Sequence, residues 1–238
     1  MDITSINNPK IKEIIKIYKE KKFRDDLNLF IVEGYHMVLE AYKANLLVEV
    51  YSVKPVNFDF KDVFIVSEQI LEKISKTVTP QGIIGLCKKI DKHEITDRVL
   101  MLDNIQDPGN LGTILRSALA FNFKTVILDN CCDIYNDKVL RSTQGAIFNL
   151  NLINGDLKEY IIKLKDYDIY GTSLKNSTNL KDMKFLNKNI ALILGNEGNG
   201  MREELLKMTK NNIFIEIENI ESLNVAIAGA IIMHWLKK

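Results

Sequence analysis

The sequence predicts an α/β protein whose C-terminal part is built on a mostly parallel sheet. From Arg98 onward, short apolar runs alternate with segments of helical periodicity, which is the pattern of a parallel sheet covered on both faces. Two of these runs, Ile190–Leu194 and Ile213–Ile217, each end in a polar loop. Since ligands bind beyond the carboxyl ends of the strands in such sheets, we expect both loops to border a ligand site.

Composition sets wider limits. The chain has 238 residues, enough for one large or two modest domains, with 46% hydrophobic and 26% charged residues. No apolar run approaches the roughly 20 residues that span a bilayer, and residues 1–22 are charged rather than signal-like. We therefore expect a cytosolic (cytoplasmic) protein with no membrane partner. No metal is expected, because no ligand motif joins the histidines, and reduced structural thiols are expected of the cysteines; these residues are His36, His93, His234, Cys87, Cys131 and Cys132.

Basic residues crowd the N-terminal segment 1–24. Asn8 and Pro9 suit a helix start, and the helix that follows carries apolar residues at helical spacing. Those apolar residues are Ile11, Ile14, Ile15 and Tyr18, and the basic ones are Lys10, Lys12, Lys16, Lys19, Lys21, Lys22 and Arg24. The lysine face has two interpretations, a solvated surface or a contact with a nucleic-acid backbone.

A small α/β unit follows in residues 25–90. Its predicted strands are 29–32, 47–53, 63–66 and 82–87, and its predicted helices are 34–44 and 67–76. The charged stretch Lys88–Asp97 is almost free of apolar residues, so we expect it to separate this unit from a second domain, 98–238.

The second domain opens with a predicted strand, 99–102, a polar turn, 103–110, and a helix, 111–121. Asn110 is in the position of a helix cap, where free backbone N–H groups can face an anion. Arg116 has small helical neighbours, so its side of the helix is predicted to be open. Arg116 is either a surface charge or a phosphate ligand, and the small neighbours favour the phosphate. These neighbours are Gly112, Thr113, Ser117 and Ala120.

The remaining predicted strands are 125–128, 167–170, 190–194 and 213–217. The remaining predicted helices are 138–144, 156–164, one that ends near Lys210, and 222–235. A loop is predicted at 176–189 and a glycine turn at 195–200. The last helix is apolar nearly all round. Such a helix must be buried against the core or against another subunit.

Two common nucleotide-binding motifs are excluded by glycine spacing. The turn reads GxxGxG instead of GxGxxG, and no glycine precedes Lys-Ser or Lys-Thr as in a P-loop. The informative feature is a combination of three motifs in order: Asp107–Gly112 with Arg116, then Gly195–Gly200, then Glu221–Val225.

With these motifs, the sequence resembles the SpoU–TrmH family (SPOUT class) of S-adenosylmethionine-dependent RNA 2′-O-ribose methyltransferases. Phe30–Gly34 and Thr79–Ile83 look like the two ends of the family's small RNA-substrate domain. Ser5–Lys10 is similar to the start of its ribosomal-RNA branch. The resemblance covers essentially the whole chain, although Ile215–Glu221 lacks a proline and a glycine that the family usually carries.

The resemblance implies a C-terminal domain with a deep trefoil knot, which sequence physics would not predict. It also implies a homodimer joined through that domain and RNA, of the ribosomal class, as substrate. The implied S-adenosylmethionine site consists of Leu194, Gly195, Asn196, Gly200, Ile215, Ile217 and Leu223, and the implied catalytic residues are Asn110, Arg116, Glu197, Ser222 and Asn224. Arg116 would either take the proton of the ribose 2′-hydroxyl or bind an RNA phosphate and orient that hydroxyl.

Other functions are compatible with the motifs. A knotted RNA-binding protein that has lost methyl transfer could act in ribosome assembly, and a transfer-RNA 2′-O-methyltransferase would share the same residues. Methylation of a small molecule or protein is disfavoured by the separate N-terminal unit and its basic helix. The sequence does not specify which nucleotide is modified.

Overall fold

The computed structural model describes residues 2–77, 79–90, 94–174, 176–183 and 188–237. The chain divides into two compact units, Met1–Ile90 and Asp91–Lys238. Residues 91–93, which include His93 and part of the predicted boundary, lie outside the described residues. Residues 184–187 of the predicted loop 176–189 also lie outside them.

The first unit contains a five-stranded sheet, as far as its described residues go. Its elements are β1 (Asp2–Ile3), α1 (Pro9–Lys19), α2 (Lys21–Leu27), β2 (Leu29–Glu33), α3 (Tyr35–Lys43), β3 (Leu47–Ser52), β4 (Val63–Val66), α4 (Glu68–Ile74) and β5 (Ile83–Lys88). The strand order is β1-β4-β3-β5-β2, with β5 antiparallel to both of its neighbours. The sequence did not predict β1 or α2.

The start of α1 is confirmed. The side chain of Asn8 accepts a hydrogen bond from the Lys10 N–H (2.9 Å), and Pro9 occupies the first turn. The predicted apolar face of α1 is wrong at one position. Ile15 was predicted to belong to it but is only partly buried, whereas Ile17 is fully buried.

The second unit has a seven-stranded sheet within the described residues, and every pair of neighbouring strands is parallel. Its elements are β6 (Arg98–Asp103), α5 (Pro108–Ala120), β7 (Thr125–Asp129), α6 (Asp137–Thr143), β8 (Asn151–Asn154), α7 (Leu157–Lys163), β9 (Asp168–Thr172), β10 (Thr178–Asn179), β11 (Ile190–Leu194), α8 (Glu203–Met208), β12 (Asn211–Phe214) and α9 (Val225–Leu236). Their order, β10-β12-β9-β11-β6-β7-β8, confirms the predicted parallel sheet. The knotted chain path remains a prediction.

Strands β6 and β11 lie side by side in the middle of this sheet and are covered on both faces. Alternate residues such as Leu100 and Leu192 point towards α5 and α9, while Met101 and Ile193 point towards α7 and α8. Each fully buried side chain of this size contributes about 1.5–3 kcal/mol through removal of apolar surface from water. The two helical layers therefore fix the sheet, and its carboxyl edge is left for the loops.

Two predicted helix starts are wrong. Helix α5 begins at Pro108, and Asp107 caps it by accepting from the Asn110 N–H at 2.7 Å. Asn110 is therefore in the first turn and is not the cap. Helix α9 begins at Val225, because Asn224 accepts from two backbone N–H groups, and Ser222 lies in the preceding loop.

The last predicted strand is also displaced, since β12 spans Asn211–Phe214 and Ile215–Ile217 has no regular structure. It is not a fully buried strand either, because only Ile213 in it is fully covered. Its neighbours explain this: β12 pairs with β9 on one side and with the two-residue β10 on the other. Strands β8 and β10 were not predicted from the sequence.

Helix α9 is buried on one side only. Gly229 packs so closely on β11 that a side chain there would lie 2.6 Å from the Leu194 Cδ1 atom. On the opposite side Ile227 and Ile231 are 51% and 39% exposed. The core of this unit therefore covers one side of α9 and leaves these two isoleucines exposed.

No helix in the described residues is long and apolar enough to cross a membrane. The described part of the chain also holds no group of side chains arranged to bind a metal ion. The three cysteines are free thiols, and burial raises the pKa of Cys131 to about 12. That thiol is therefore protonated at neutral pH, as expected of a structural cysteine.

Candidate functional site

The three sequence motifs meet at the carboxyl edge of the second sheet, where the strand ends Asp103, Asp129, Thr172, Leu194 and Phe214 lie. One hydrogen-bonded network joins them.

The centre of this network is the carboxylate of Glu197. Its Oε1 accepts from the Asp107 N–H (3.1 Å) and from the Asn110 Nδ2 (3.3 Å), and its Oε2 accepts from the Gln106 N–H (3.4 Å). Asn110 in turn accepts, through Oδ1, from the Asn224 Nδ2 at 2.9 Å. Residues from all three motifs are thus linked in a single chain of contacts.

Hydrogen bonding determines the charge state of Glu197. Burial raises its pKa, but the backbone N–H groups of Glu197 itself and of Asp107, together with Asn110, outweigh burial and lower it. The side chain is therefore an ionised acceptor at neutral pH. A carboxylate with a lowered pKa is a poor proton acceptor, so its geometry suits positioning better than proton abstraction.

The residues Gly195–Met201, which we call the glycine loop, fold back on themselves. The backbones of Asn196 and Gly200 exchange two hydrogen bonds, each 3.0 Å long. The Asn196 Oδ1 accepts from the N–H groups of Gly198 and Asn199, and its Nδ2 donates to the Asn104 carbonyl at 2.8 Å. These contacts hold the loop in a closed shape through groups of the chain itself.

Gly195 is required by this shape. A Cβ atom there would lie 2.6 Å from the carbonyl oxygen of Gly200 and closer still to the backbone nitrogen of Met201. Gly200 has a φ of +68°, a backbone conformation that residues other than glycine rarely adopt. Both glycines therefore serve the backbone of the loop itself.

Arg116 lies on an exposed face of α5 and makes no hydrogen bond or ion pair with any residue that the structure describes. The prediction of an open small-residue face is partly wrong. Gly112 is buried against α6, and a Cβ atom there would lie 2.7 Å from the Val139 carbonyl oxygen. Thr113 and Ala120 remain exposed beside Arg116.

The loop between β12 and α9 is held at both of its ends. Near its start, the Glu216 carboxylate pairs with Lys181 and accepts from the Asn179 Nδ2 at 3.2 Å. At its end, Asn224 is fixed by Asn110 and by its capping bonds. Between these points, the backbone of residues 217–223 makes no hydrogen bond with the described part of the chain.

The predicted ligand residues in and beside this loop differ in burial. Ile215, Ile217 and Leu223 are half-buried, while Leu194 is buried under Gly229. Ser222 is exposed and makes no hydrogen bond with any described residue. The structure therefore does not bring Ser222 into the network of Asn110, Glu197 and Asn224.

One residue of this edge was missed in the sequence. Arg202, directly after the glycine loop, pairs with Asp103 at the end of β6 and with Asp129 at the end of β7. Burial lowers the pKa of this guanidinium, but the two carboxylates outweigh burial and raise it. The available signal was two apolar strands that each end in aspartate, together with an arginine next to the glycine turn.

Comparisons with known proteins agree with these motifs. Residues 97–234 match the model of the SpoU rRNA Methylase family, and residues 8–85 match the MRM3-like substrate binding domain. The chain is 36% identical to the 23S rRNA (guanosine(2553)-2′-O)-methyltransferase RlmP of Bacillus subtilis, over 99% of this chain and 98% of that protein. An rRNA methyltransferase of Sinorhizobium meliloti has a similar structure, with a TM-score of 0.87, 26% identity, and 99% of this chain and 96% of that one covered. Its AdoMet-bound form gives a TM-score of 0.88 at 25% identity, with the same coverage.

Proposed function

Since the chain belongs to the SpoU rRNA methylase family, we propose that it is an S-adenosylmethionine-dependent RNA 2′-O-ribose methyltransferase that acts on ribosomal RNA. The network that links Asn110, Glu197 and Asn224 carries this proposal, because it joins all three family motifs at one edge of the sheet. The similarity to RlmP over nearly the whole chain supports 23S rRNA as the substrate.

The residues of the carboxyl edge fit S-adenosylmethionine. When bound, this cofactor supplies an electrophilic methyl group on a sulfonium. Half-buried Ile215, Ile217 and Leu223 offer apolar contact, and the backbone of residues 217–223 has donors and acceptors that no described residue uses. A flat base with a polar edge, such as adenine, needs both kinds of contact. The glycine loop, with Leu194, Gly195, Asn196 and Gly200, would border the same ligand.

The guanidinium of Arg116, which has no partner among the described residues, serves the RNA. The remaining chemistry is the removal of a proton from a ribose 2′-hydroxyl that is held in line with the methyl group. Arg116 either binds a phosphate next to that ribose or takes its proton, and Asn110, Glu197 and Asn224 hold the surrounding loops. Ser222 is exposed in the loop before α9, outside the network of these three residues, so any contact that it makes with the substrate would come from that loop.

Further parts of the proposal concern the whole chain. The basic segment 1–24 and the unit 25–90 contact RNA, which the match to a substrate-binding domain supports, and residues 98–238 carry the methyltransferase site. The protein acts in the cytoplasm as a homodimer. The exposed Ile227 and Ile231 on α9 support the dimer, because a second copy would cover them.

The test is methyl transfer from S-adenosylmethionine to ribosomal RNA of cells that lack the gene, followed by mapping of the 2′-O-methyl sites. We expect one modified ribose with the wild-type protein. Arg116→Ala should reduce the rate by about 10²–10⁴-fold. It should leave the free energy of unfolding within about 0.5 kcal/mol of the wild type, because the side chain is exposed and has no ion pair with a described residue. RNA binding without any transfer would favour the binding-only alternative.

Arg116→Lys separates the two roles of Arg116. A phosphate ligand would be replaced in part by lysine, so that RNA affinity is largely kept and transfer partly restored. If Arg116 is instead the proton acceptor, lysine replaces it with a group of lower pKa. The pH range over which activity rises should then be lower in the variant than in the wild type.

A further inference from the structure

A buried carboxylate lies directly beneath the glycine loop. Asp103, the last residue of β6, has a side chain that is only 1% exposed. A charge in such a place is costly unless it is paired and hydrogen-bonded. Arg202 supplies the pairing on both carboxylate oxygens: its Nε donates to Oδ1 at 2.6 Å, and its backbone N–H donates to Oδ2 at 2.8 Å.

The same guanidinium reaches a second strand end. Its Nη2 donates to the carboxylate of Asp129, the last residue of β7, and its Nη1 lies 3.4 Å from the Glu204 Oε1. Asp129 also accepts from the Leu157 N–H at the start of α7, at 3.1 Å. Arg202 is therefore fixed between two neighbouring strands, and the chain segment that leaves the glycine loop is fixed with it.

The glycine loop is thus attached to the end of β6 and to the segment after it at three points. Asn196 donates to the Asn104 carbonyl, Glu197 accepts from the N–H groups of Gln106 and Asp107, and Arg202, directly after the loop, donates to Asp103. The loop also closes on itself through the paired backbones of Asn196 and Gly200. Loss of the Arg202 attachment would leave the end of the loop without its link to β6, while Asn196 and Glu197 would still hold the start of the loop.

We propose that Arg202 is a positioning residue for the methyl donor, which clamps Asp103 and Asp129 so that the glycine loop is closed before the donor binds. This inference rests on the proposed function of the site. A loop that is already ordered loses less conformational entropy on binding, so the clamp raises donor affinity. A planar guanidinium suits this task because it can pair with two carboxylates at once in a fixed geometry.

A purely structural role would be different: Arg202 would only neutralise Asp103. The variants Arg202→Met and the double variant Arg202→Met with Asp103→Asn separate the two roles. The double variant removes the buried charge together with its partner and keeps an acceptor for the N–H of residue 202. Lys207→Met is the control, since Lys207 is an exposed cation of α8 whose only ion pair in the described residues is with Glu203 on the surface.

We expect Arg202→Met to weaken S-adenosylmethionine binding by about tenfold or more in calorimetry. The KM for the donor should rise by a similar factor, while kcat at saturating donor and the KM for RNA change less than about threefold. The double variant should recover the melting temperature but not the donor affinity. Arg202→Lys should recover part of the affinity, because one ammonium can reach one carboxylate, and Lys207→Met should change neither quantity.

Two results would overturn the inference. One is a donor affinity in Arg202→Met within about twofold of the wild type while the melting temperature falls. The other is a double variant that regains stability and donor affinity together. A wild-type protein that binds no S-adenosylmethionine would instead refute the proposed function, so the two failures can be told apart.

Discussion

The side chains of the glycine loop act on the loop itself. Asn196 accepts from two N–H groups of its own turn and donates to the Asn104 carbonyl after β6. Glu197 accepts from the N–H groups of Gln106 and Asp107, where the first motif begins. Gly195 contributes by having no side chain, since the backbone of Gly200 occupies that space. A ligand therefore meets a loop whose polar groups are already partly committed.

A side chain at position 195 affects the fold of the loop as well as donor binding. Even Gly195→Ala places a Cβ atom against the backbone of residues 200–201, which cannot move away as a flexible side chain could. We expect Gly195→Ala to weaken donor binding and also to destabilise the protein by about 1–3 kcal/mol, as measured by calorimetry and denaturant unfolding.

Gly198→Ala is the matched control in the same loop. Its Cβ atom would lie 3.6 Å from the Asn196 Oδ1, which is an ordinary contact, so stability should be unchanged. If Gly195→Ala were as stable as Gly198→Ala, the closed loop described here would be wrong.

Single residues differ in how far the sequence could predict them. Asn110, Glu197 and Asn224 stand in motifs, and the structure brings them into direct contact. The clamp of Arg202 was missed, because Asp103 and Asp129 are 26 positions apart and become neighbours only once β6 and β7 pair in register. A contact that depends on strand register has no local signature.

Helix and strand boundaries were predicted less well than the elements themselves. In α5 Asn110 was predicted as the cap, but Asp107 caps the helix, because Pro108 follows it at the first helical position. In α9 Asn224 caps the helix in place of Ser222, since its side chain accepts from two backbone N–H groups. Both starts contain more than one residue type that can cap a helix within three positions, and the sequence alone did not indicate which of them has the capping geometry.

The lysines near the N-terminus form two groups in the structure. Lys10 pairs with Glu49 and lies 4.7 Å from the centre of the Phe64 ring, and Lys16 lies 4.0 Å from the centre of the Phe23 ring. Lys12, Lys19, Lys21 and Lys22 are exposed and make no contact of these kinds with the described residues. The second group is the one available to RNA phosphates.

Replacement of Lys12, Lys19 and Lys22 by Gln should weaken RNA binding and reduce its salt dependence. Each lost contact with a single-stranded phosphate lowers the slope of log affinity against log salt by about 0.7. The double variant Lys10→Gln with Lys16→Gln is the control, and its slope should stay close to that of the wild type. An unchanged slope in the triple variant would show that this face is only solvated.

On the scale of the molecule, the parallel sheet explains why motifs about 90 residues apart in the chain meet. The sequence predicted that sheet because β6 and β11 are apolar runs, whose side chains point alternately to the two faces and are buried on both. The helices between the strands are amphipathic, as a sheet covered on both faces requires. A knot cannot be predicted from the sequence pattern in the same way. Burial patterns report which face of an element is covered, whereas a knot depends on the order in which the chain passes through its own loops.

The homodimer is tested best by a change on the exposed face of α9. Ala230 is half-buried at the margin of the core, so that Ala230→Arg could disturb the fold itself. Ile227 and Ile231 are the exposed apolar residues of α9 and lie one helical turn apart. A two-fold interface would repeat each of them, so that Ile227→Glu with Ile231→Glu introduces four charges into it.

We expect light scattering to give twice the 27.2 kDa chain mass for the wild type and a single chain mass for this double variant. Methyl transfer should fall with dimer loss, while far-UV circular dichroism stays native, because both side chains point away from the core of their own unit. Ile162→Glu is the control: Ile162 is 67% exposed on α7, on the other face of the sheet, and its replacement should leave the dimer intact. A wild type that is monomeric and fully active at low micromolar concentration would refute the dimer, as would a double variant that still dimerises.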